Sequence, residues 1–209
     1  MTSIDSITLE VAYVPAAERF YSALGMDSRI GLRASDAPTS GFRGFTLSLT
    51  APQPADINSL MDTAVAAGAT VLKPAEKSLW GYGGAVLSPD GTAWTFASSS
   101  KKDTGPATGE IEALVLLLGV ADVKASKQFY VDRGLTVARS FGGKYAEFEP
   151  AGSPVTLALN TRKALAKNAG LPPEGDGSHR LVIGSEAGPF TDPDGFVWEA
   201  PSGSGSSAG

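Results

Sequence analysis

The alternation of hydrophobic and polar residues predicts short strands and helices in an order that occurs twice along the chain. Residues 7–11 alternate as a strand with one buried face, and residues 16–24 then follow helical spacing up to Gly25. The second half opens in the same way. Its first strand, 114–120, is apolar enough to be buried on both faces, and a helical segment follows at 123–132. The pattern therefore predicts an α+β protein built from a duplicated unit.

Each half ends in a Pro-Asp-Gly triplet between apolar residues, which predicts a β-hairpin. Residues 88–94 read Ser-Pro-Asp-Gly-Thr-Ala-Trp, and residues 192–198 read Asp-Pro-Asp-Gly-Phe-Val-Trp. Proline presets φ, aspartate can bond its own backbone, and glycine takes up positive φ, so the triplet favours a tight turn. Two such hairpins divide the chain into one half at 1–98 and another at 111–201.

The segments outside the two halves have a different composition. Residues 99–110 contain no large apolar side chain and are predicted to be a linker, and residues 202–209 contain only Ser, Gly and Ala and are predicted to be a disordered tail. Within the halves, two further helices are predicted, one at 56–67 with Asp56 as its N-cap and one at 161–168.

The composition and charge of the chain argue against some classes of function. The net charge of −5 over 209 residues, without a basic stripe, argues against a nucleic-acid partner. The longest apolar run, 113–118, is far too short to span a membrane, and the N-terminus lacks the features of a signal peptide. A cytoplasmic protein is the resulting expectation.

The lack of cysteine and the single histidine restrict the available chemistry. Without cysteine the chain has no disulfide, thiolate nucleophile or Cys-rich zinc site. With His179 as the only histidine, any site that needs two histidines from one chain is excluded as well.

Two segments carry a family resemblance. One is Val-Ala-Asp at 120–122 with Ser126, Phe129 and Tyr130, and the other is Asp-Pro-Asp-Gly at 192–195 with Trp-Glu at 198–199. In this order, and repeated, they resemble the vicinal oxygen chelate (VOC) superfamily, which includes glyoxalase I, extradiol dioxygenases, fosfomycin-resistance transferases and bleomycin-resistance binding proteins. The resemblance implies tandem βαβββ modules with mixed curved sheets that enclose a cleft. It implies four modules here, two of them trimmed.

The resemblance also implies where a metal would bind, because members with metal chemistry carry ligands on set strands. The corresponding positions are Ser6, Ser48, approximately Gly44, and Thr95 in the first half, and Val115, Ala158, His179 and Glu199 in the second. Only His179 and Glu199 can be strong ligands, and a catalytic divalent site normally needs at least three protein ligands. We therefore expect no metal site and no cofactor.

The candidate ligand-binding residues are Trp80, Tyr82, Phe141, Tyr145, His179 and Glu199. Trp80 and Tyr82 lie in a glycine-rich stretch that is either a mobile aromatic flap or an ordinary β-connection. The same two interpretations apply to the loop with Phe141 and Tyr145. His179 and Glu199 are either a pocket pair, with acid–base or residual metal chemistry, or a solvated strand-start histidine and an unrelated carboxylate.

The favoured function is that of a glyoxalase/bleomycin-resistance-like protein that binds a small aromatic or cationic molecule without a metal. The alternative is an enzyme of lyase, isomerase or dioxygenase type, with catalytic residues that the sequence does not identify. A scaffold without a ligand is the third possibility. The oligomeric state is open, since the halves either close on each other within one chain or pair across a homodimer.

Overall fold

The computed structural model describes residues 2–201, which form an α+β fold with mixed sheets. The helices are α1 (Val14–Ala23), α2 (Pro54–Ala66), α3 (Val123–Val131) and α4 (Arg162–Ala169). The strands are β1 (Ile4–Val11), β2 (Ile30–Ala34), β3 (Thr39–Gly41), β4 (Phe45–Thr50), β5 (Thr70–Lys77), β6 (Tyr82–Leu87), β7 (Ala93–Ser98), β8 (Ala113–Val120), β9 (Val137–Phe141), β10 (Tyr145–Phe148), β11 (Val155–Thr161), β12 (Gly175–Gly177), β13 (Leu181–Ser185), β14 (Phe190–Thr191) and β15 (Val197–Glu199). The tail predicted at 202–209 lies outside the described residues.

Both large sheets combine strands from the two halves of the sequence. The 8-stranded sheet has the order β5-β6-β7-β4-β8-β11-β10-β9, and the 5-stranded sheet has the order β14-β15-β13-β1-β2. The halves join through antiparallel pairs, β4 with β8 and β1 with β13. Two βαβββ modules, β4 to β7 and β8 to β11, are complete, and the modules in the smaller sheet are trimmed. A short ribbon of β3 and β12 completes the topology.

The two Pro-Asp-Gly hairpins form as predicted, and the same aromatic arrangement accompanies each. In the first half, the Tyr21 ring of α1 lies 5.8 Å from the Trp94 ring at an interplanar angle of 46°. In the second half, the Tyr130 ring of α3 lies 5.2 Å from the Trp198 ring at 44°. Each tyrosine hydroxyl also donates to an aspartate in its own hairpin, Tyr21 to Asp90 and Tyr130 to Asp192. These paired contacts support the duplication.

One core lies between the sheets and helices α1, α2 and α3. In β4, Leu47 and Leu49 face this core, whereas Thr46 and Ser48 point to the opposite side of the sheet. We call that opposite side the outer face of the 8-stranded sheet. Strand β8 alternates between buried and half-buried residues from Ala113 to Leu118, and Gly119 and Val120 are both buried, so the prediction that it is buried on both faces holds only in part.

Helix α2 holds the linker by hydrogen bonds. The helix starts at Pro54 with Gln53 in the N-cap position, so the prediction of Asp56 as N-cap is wrong. Asp56 lies in the first turn, and its carboxylate accepts hydrogen bonds from the backbone N–H groups of Thr108 and Gly109. The Gln53 side chain accepts from the backbone N–H groups of Thr104 and Gly105. The linker is therefore docked on the helix that precedes the first hairpin.

Because the linker is held by the Asp56 carboxylate, the stability of the folded state should depend on pH. Burial opposes ionisation of Asp56, but the hydrogen bonds from Thr108 and Gly109 more than offset it and hold the pKa of the carboxyl below its ordinary value of 3.8. A carboxyl with a lowered pKa stabilises the folded state above the unfolded pKa, and this contribution is lost as pH falls through the folded pKa. The melting temperature of Asp56→Asn should therefore be below that of the parent at pH 6, with the gap shrinking between pH 4 and pH 2. A gap that stays constant with pH would contradict the role of the charge.

None of the helices within residues 2–201 is long and apolar enough to cross a membrane.

Candidate functional site

One candidate site is a groove of about 400 Å³ on the outer face of the 8-stranded sheet. We call it the Trp80 groove. Small and polar residues of β4, β6 and β7 line it, among them Ser48, Gly83, Thr95 and Ala97. Such side chains leave the strand backbones close to the surface, so a flat ring can lie against the sheet.

Trp80 stands at the groove with most of its ring in solvent. It is 86% exposed, and it lies in the β5–β6 connection that also carries Gly81. A Cβ at Gly81 would lie 2.0 Å from the Ser98 carbonyl oxygen, and its φ is +151°. Only glycine fits this close approach. The approach therefore sets the position of the backbone next to Trp80. An exposed aromatic ring beside a groove is an arrangement suited to stacking on a ligand.

Tyr82 lies two residues after Trp80 in sequence, but its ring points in another direction. It shares the core face of β6 with Val86, and its hydroxyl donates to Asn58 Oδ1 of α2 at 2.8 Å. The residue borders the Trp80 groove, and the position of the hydroxyl shows that the ring is directed to the helix side. Lys73 and Glu76 of β5 complete this side of the groove and were missed from the sequence, because nothing in β5 marked them.

Phe141 and Tyr145 lie at the opposite edge of the same sheet, in β9 and β10. Their rings are 6.0 Å apart, and Phe141 is 63% exposed. The Tyr145 hydroxyl donates to Glu147, whose carboxylate also pairs with Arg139 at 2.8 Å. Burial, together with the bond to Glu147, raises the pKa of Tyr145 above its ordinary value, so the phenol stays protonated. The structure does not bring these residues together with Trp80.

His179 and Glu199 line one cavity of about 540 Å³ beside the 5-stranded sheet, but each is engaged with another partner. Nδ1 of His179 lies 2.5 Å from the Arg43 carbonyl oxygen, and Nε2 lies 3.0 Å from the Asp194 carbonyl oxygen. The imidazole also stacks on Phe196, with ring centroids 4.0 Å apart. His179 thus ties the segment before β4 to the second hairpin.

Glu199 forms a two-point ion pair with Arg33 of β2. Arg33 donates to both carboxylate oxygens, at 3.0 and 2.9 Å. The hydrogen bonds from Arg33 lower the pKa of Glu199, which therefore stays ionised and is unsuited to act as a general acid near neutral pH. Arg33 was missed from the sequence, since a pair between β2 and β15 depends on the tertiary fold.

The positions at which the VOC resemblance places metal ligands do not fit a divalent ion. On the outer face, Ser48 is in register with Thr95 on one side and with Val115 on the other, and none of the three is a strong ligand. Across the 5-stranded sheet, Ser6 and Glu199 flank Gly184, and Glu199 is paired with Arg33. Throughout residues 2–201, no three His, Asp or Glu side chains are grouped so that they could hold a metal.

The paired βαβββ modules define the glyoxalase/bleomycin resistance/dioxygenase fold. Glyoxalase I from Zea mays has a similar structure, with a TM-score of 0.59 at 14% identity, covering 95% of this chain and 91% of that one. A putative dioxygenase from Bacillus subtilis subsp. subtilis str. 168 is also similar, with a TM-score of 0.54 at 10% identity, covering 87% of this chain and 69% of that one. No protein-family model matches the chain, and no curated protein matches it in sequence. At these identities the likeness extends to the fold and confirms the fold implied by the resemblance.

Proposed function

We propose that this protein binds a small aromatic molecule in the Trp80 groove and that it does so without a metal ion. The observation that carries the proposal is the Trp80 ring, 86% exposed beside a groove of about 400 Å³. Ligand pockets typically have volumes of about 300–1,000 Å³, so the groove suits a molecule of one to three rings. A solvent-exposed tryptophan loses little by being covered, and stacking gives it a favourable partner.

The charges near the groove allow more than one ligand type. Lys73 and Glu76 both border it, so an acidic or a basic substituent could find a partner of opposite charge. The net charge of −5 favours the approach of a cation at low ionic strength. We therefore place aromatic cations first and neutral aromatic molecules second among the ligands to test.

Tryptophan fluorescence offers a direct test, because Trp94 and Trp198 are buried and Trp80 is the exposed one of the three. The protein would be titrated with quinoline, N-methylquinolinium and 2-naphthoate, with cyclohexanol as a non-aromatic control. Stacking on Trp80 should give a saturable change with at least one of the aromatic compounds. Lack of any saturable change across the three would contradict the proposal.

Trp80→Ala should weaken binding of the same compound by about 1–3 kcal/mol, which is about 5- to 150-fold in Kd, as measured by calorimetry. Trp80→Phe should retain most of the affinity, since it keeps a ring. Leu79→Ala is the matched control, because Leu79 is also exposed, at 79%, but does not line the groove. If Leu79→Ala and Trp80→Ala weaken binding equally, the ligand does not stack on Trp80.

A further inference from the structure

Helix α4 and residues 171–174 cover part of the outer face of the 8-stranded sheet. Leu165 and Ala166 of α4 are buried with Phe42, and Leu117 of β8 and Leu171 pack against them. This cluster is separate from the main core. The segment therefore rests on the sheet through a small apolar contact of its own.

Few polar contacts hold the segment closed. Arg162 Nη2 donates to the Phe42 carbonyl oxygen at 2.5 Å, and the Phe42 N–H donates to the Glu174 carbonyl oxygen at 2.9 Å. Within the segment, Arg162 Nε donates to the Pro173 carbonyl oxygen at 2.8 Å. The helix ends at Gly170, in a left-handed conformation with a φ of 77°. Opening would thus have to break one apolar cluster and the two hydrogen bonds to the Phe42 backbone, and the main core would stay intact.

The sheet surface next to this cover contains polar groups without partners. The Thr46 hydroxyl is buried and has no hydrogen-bond partner within residues 2–201, and the same is true of Asn160 Oδ1. Thr46 is in register with Leu117, the residue that packs against α4, and Asn160 is two residues before α4 begins. Buried polar groups are normally hydrogen-bonded, so each exception calls for an explanation.

The cover also divides the outer face into two cavities. Leu165 and Asn168 of α4 line the Trp80 groove. On the other side, Leu171 and Pro172 line a cavity of about 320 Å³ that also borders β6 and β7. Both cavities lie against the same strands, so moving the segment away would join them.

We propose that α4 and residues 171–174 form a cover that opens locally, and that the ligand site extends beneath it to Thr46 and Asn160. The ligand part rests on the function proposed above, and it specifies an aromatic molecule that carries an N–H or O–H donor, because Asn160 Oδ1 can only accept. The opening itself does not depend on that function. It follows from the weak attachment of α4 and the unsatisfied polar groups next to it.

The lack of cysteine in the chain allows a clean test by thiol labelling. Thr46→Cys would report on the covered surface, and Ala146→Cys, at a position 0% exposed in the main core, is the matched control. Under native conditions, DTNB should label Thr46→Cys at least about 10-fold faster than Ala146→Cys, because local opening requires less free energy than global unfolding. Equal rates would overturn the proposal.

Adding Leu165→Ala should separate local from global opening. It removes the main apolar contact of α4, so labelling of Thr46→Cys should rise by about 10-fold or more, while labelling of Ala146→Cys should change by less than about 2-fold. If both rates rise together, α4 opens only with the whole molecule and the proposal fails. Because no ligand is present, this result is independent of whether Trp80 binds an aromatic compound.

Hydrogen exchange on the unmodified protein provides a second measurement in case a variant does not fold. Amides of α4 should be at least about 100-fold less protected than those of β8, which lies at the centre of the sheet. Equal protection of α4 and β8 would again overturn the proposal.

Discussion

Replacing either Trp94 or Trp198 with alanine is expected to lower the free energy of unfolding by about 3–5 kcal/mol. Both side chains are buried, at 0% and 1% exposure, and each ring packs against a tyrosine from a helix of its own half. Truncation removes the buried apolar surface and leaves a cavity that the surrounding strands cannot fill. Urea denaturation of each variant would give the change directly.

Trp80→Ala is the matched control for Trp94→Ala and Trp198→Ala, since it makes the same substitution at an exposed position. Its free energy of unfolding should stay within about 0.5 kcal/mol of the parent. A loss at Trp80 comparable to that at Trp94 would mean that Trp80 supports the fold, and its role as a ligand contact would have to be abandoned.

Asp192→Ala is expected to cost about 3 kcal/mol of stability. The carboxylate is 5% exposed and accepts hydrogen bonds from the Tyr130 hydroxyl and from the backbone N–H groups of Asp194 and Phe196. Removing it leaves these donors buried without an acceptor. Asp192→Asn should cost less, because its amide oxygen can still accept.

A double-mutant cycle with Tyr130→Phe would isolate the side-chain pair. The double variant should be less destabilised than the sum of the single variants by about 0.5–3 kcal/mol, since the phenol is no longer left unpaired. Strict additivity would show that the bond between Tyr130 and Asp192 contributes nothing to stability, and that the hairpin is held by its backbone contacts alone.

The local elements of this fold could be read from the sequence, whereas the pairing of its sheets could not. The Pro-Asp-Gly hairpins and helix α3 depend on turn chemistry and spacing within a few residues. The pairing of β1 with β13 depends on contacts between residues far apart in sequence, such as Ile7 and Ile183. The prediction that β8 is buried on both faces holds only in part for a related reason, because composition reports how apolar a strand is but not what covers each face.

The candidate site was predictable in part. Trp80 could be singled out because an aromatic residue among glycines suggests an exposed loop. The alternation of Tyr82 with Val86 was a signal that the Tyr82 ring faces the core side. No such signal existed for His179, since its two partners are backbone carbonyls from distant segments. The sequence also did not predict that α4 covers the outer face, because it indicates the helix but not where the helix packs.

Calorimetric titration of the metal-stripped protein tests the central claim, metal-independent binding of an aromatic molecule beside Trp80, most directly. The aromatic compound that saturates the Trp80 fluorescence would be titrated into protein dialysed against EDTA, and again after addition of Zn, Ni, Mn or Fe. We predict one binding event per chain with the same Kd in every sample, and a Kd at least about 5-fold weaker for Trp80→Ala. Binding that appears only with added metal, or that is unchanged in Trp80→Ala, would contradict the account.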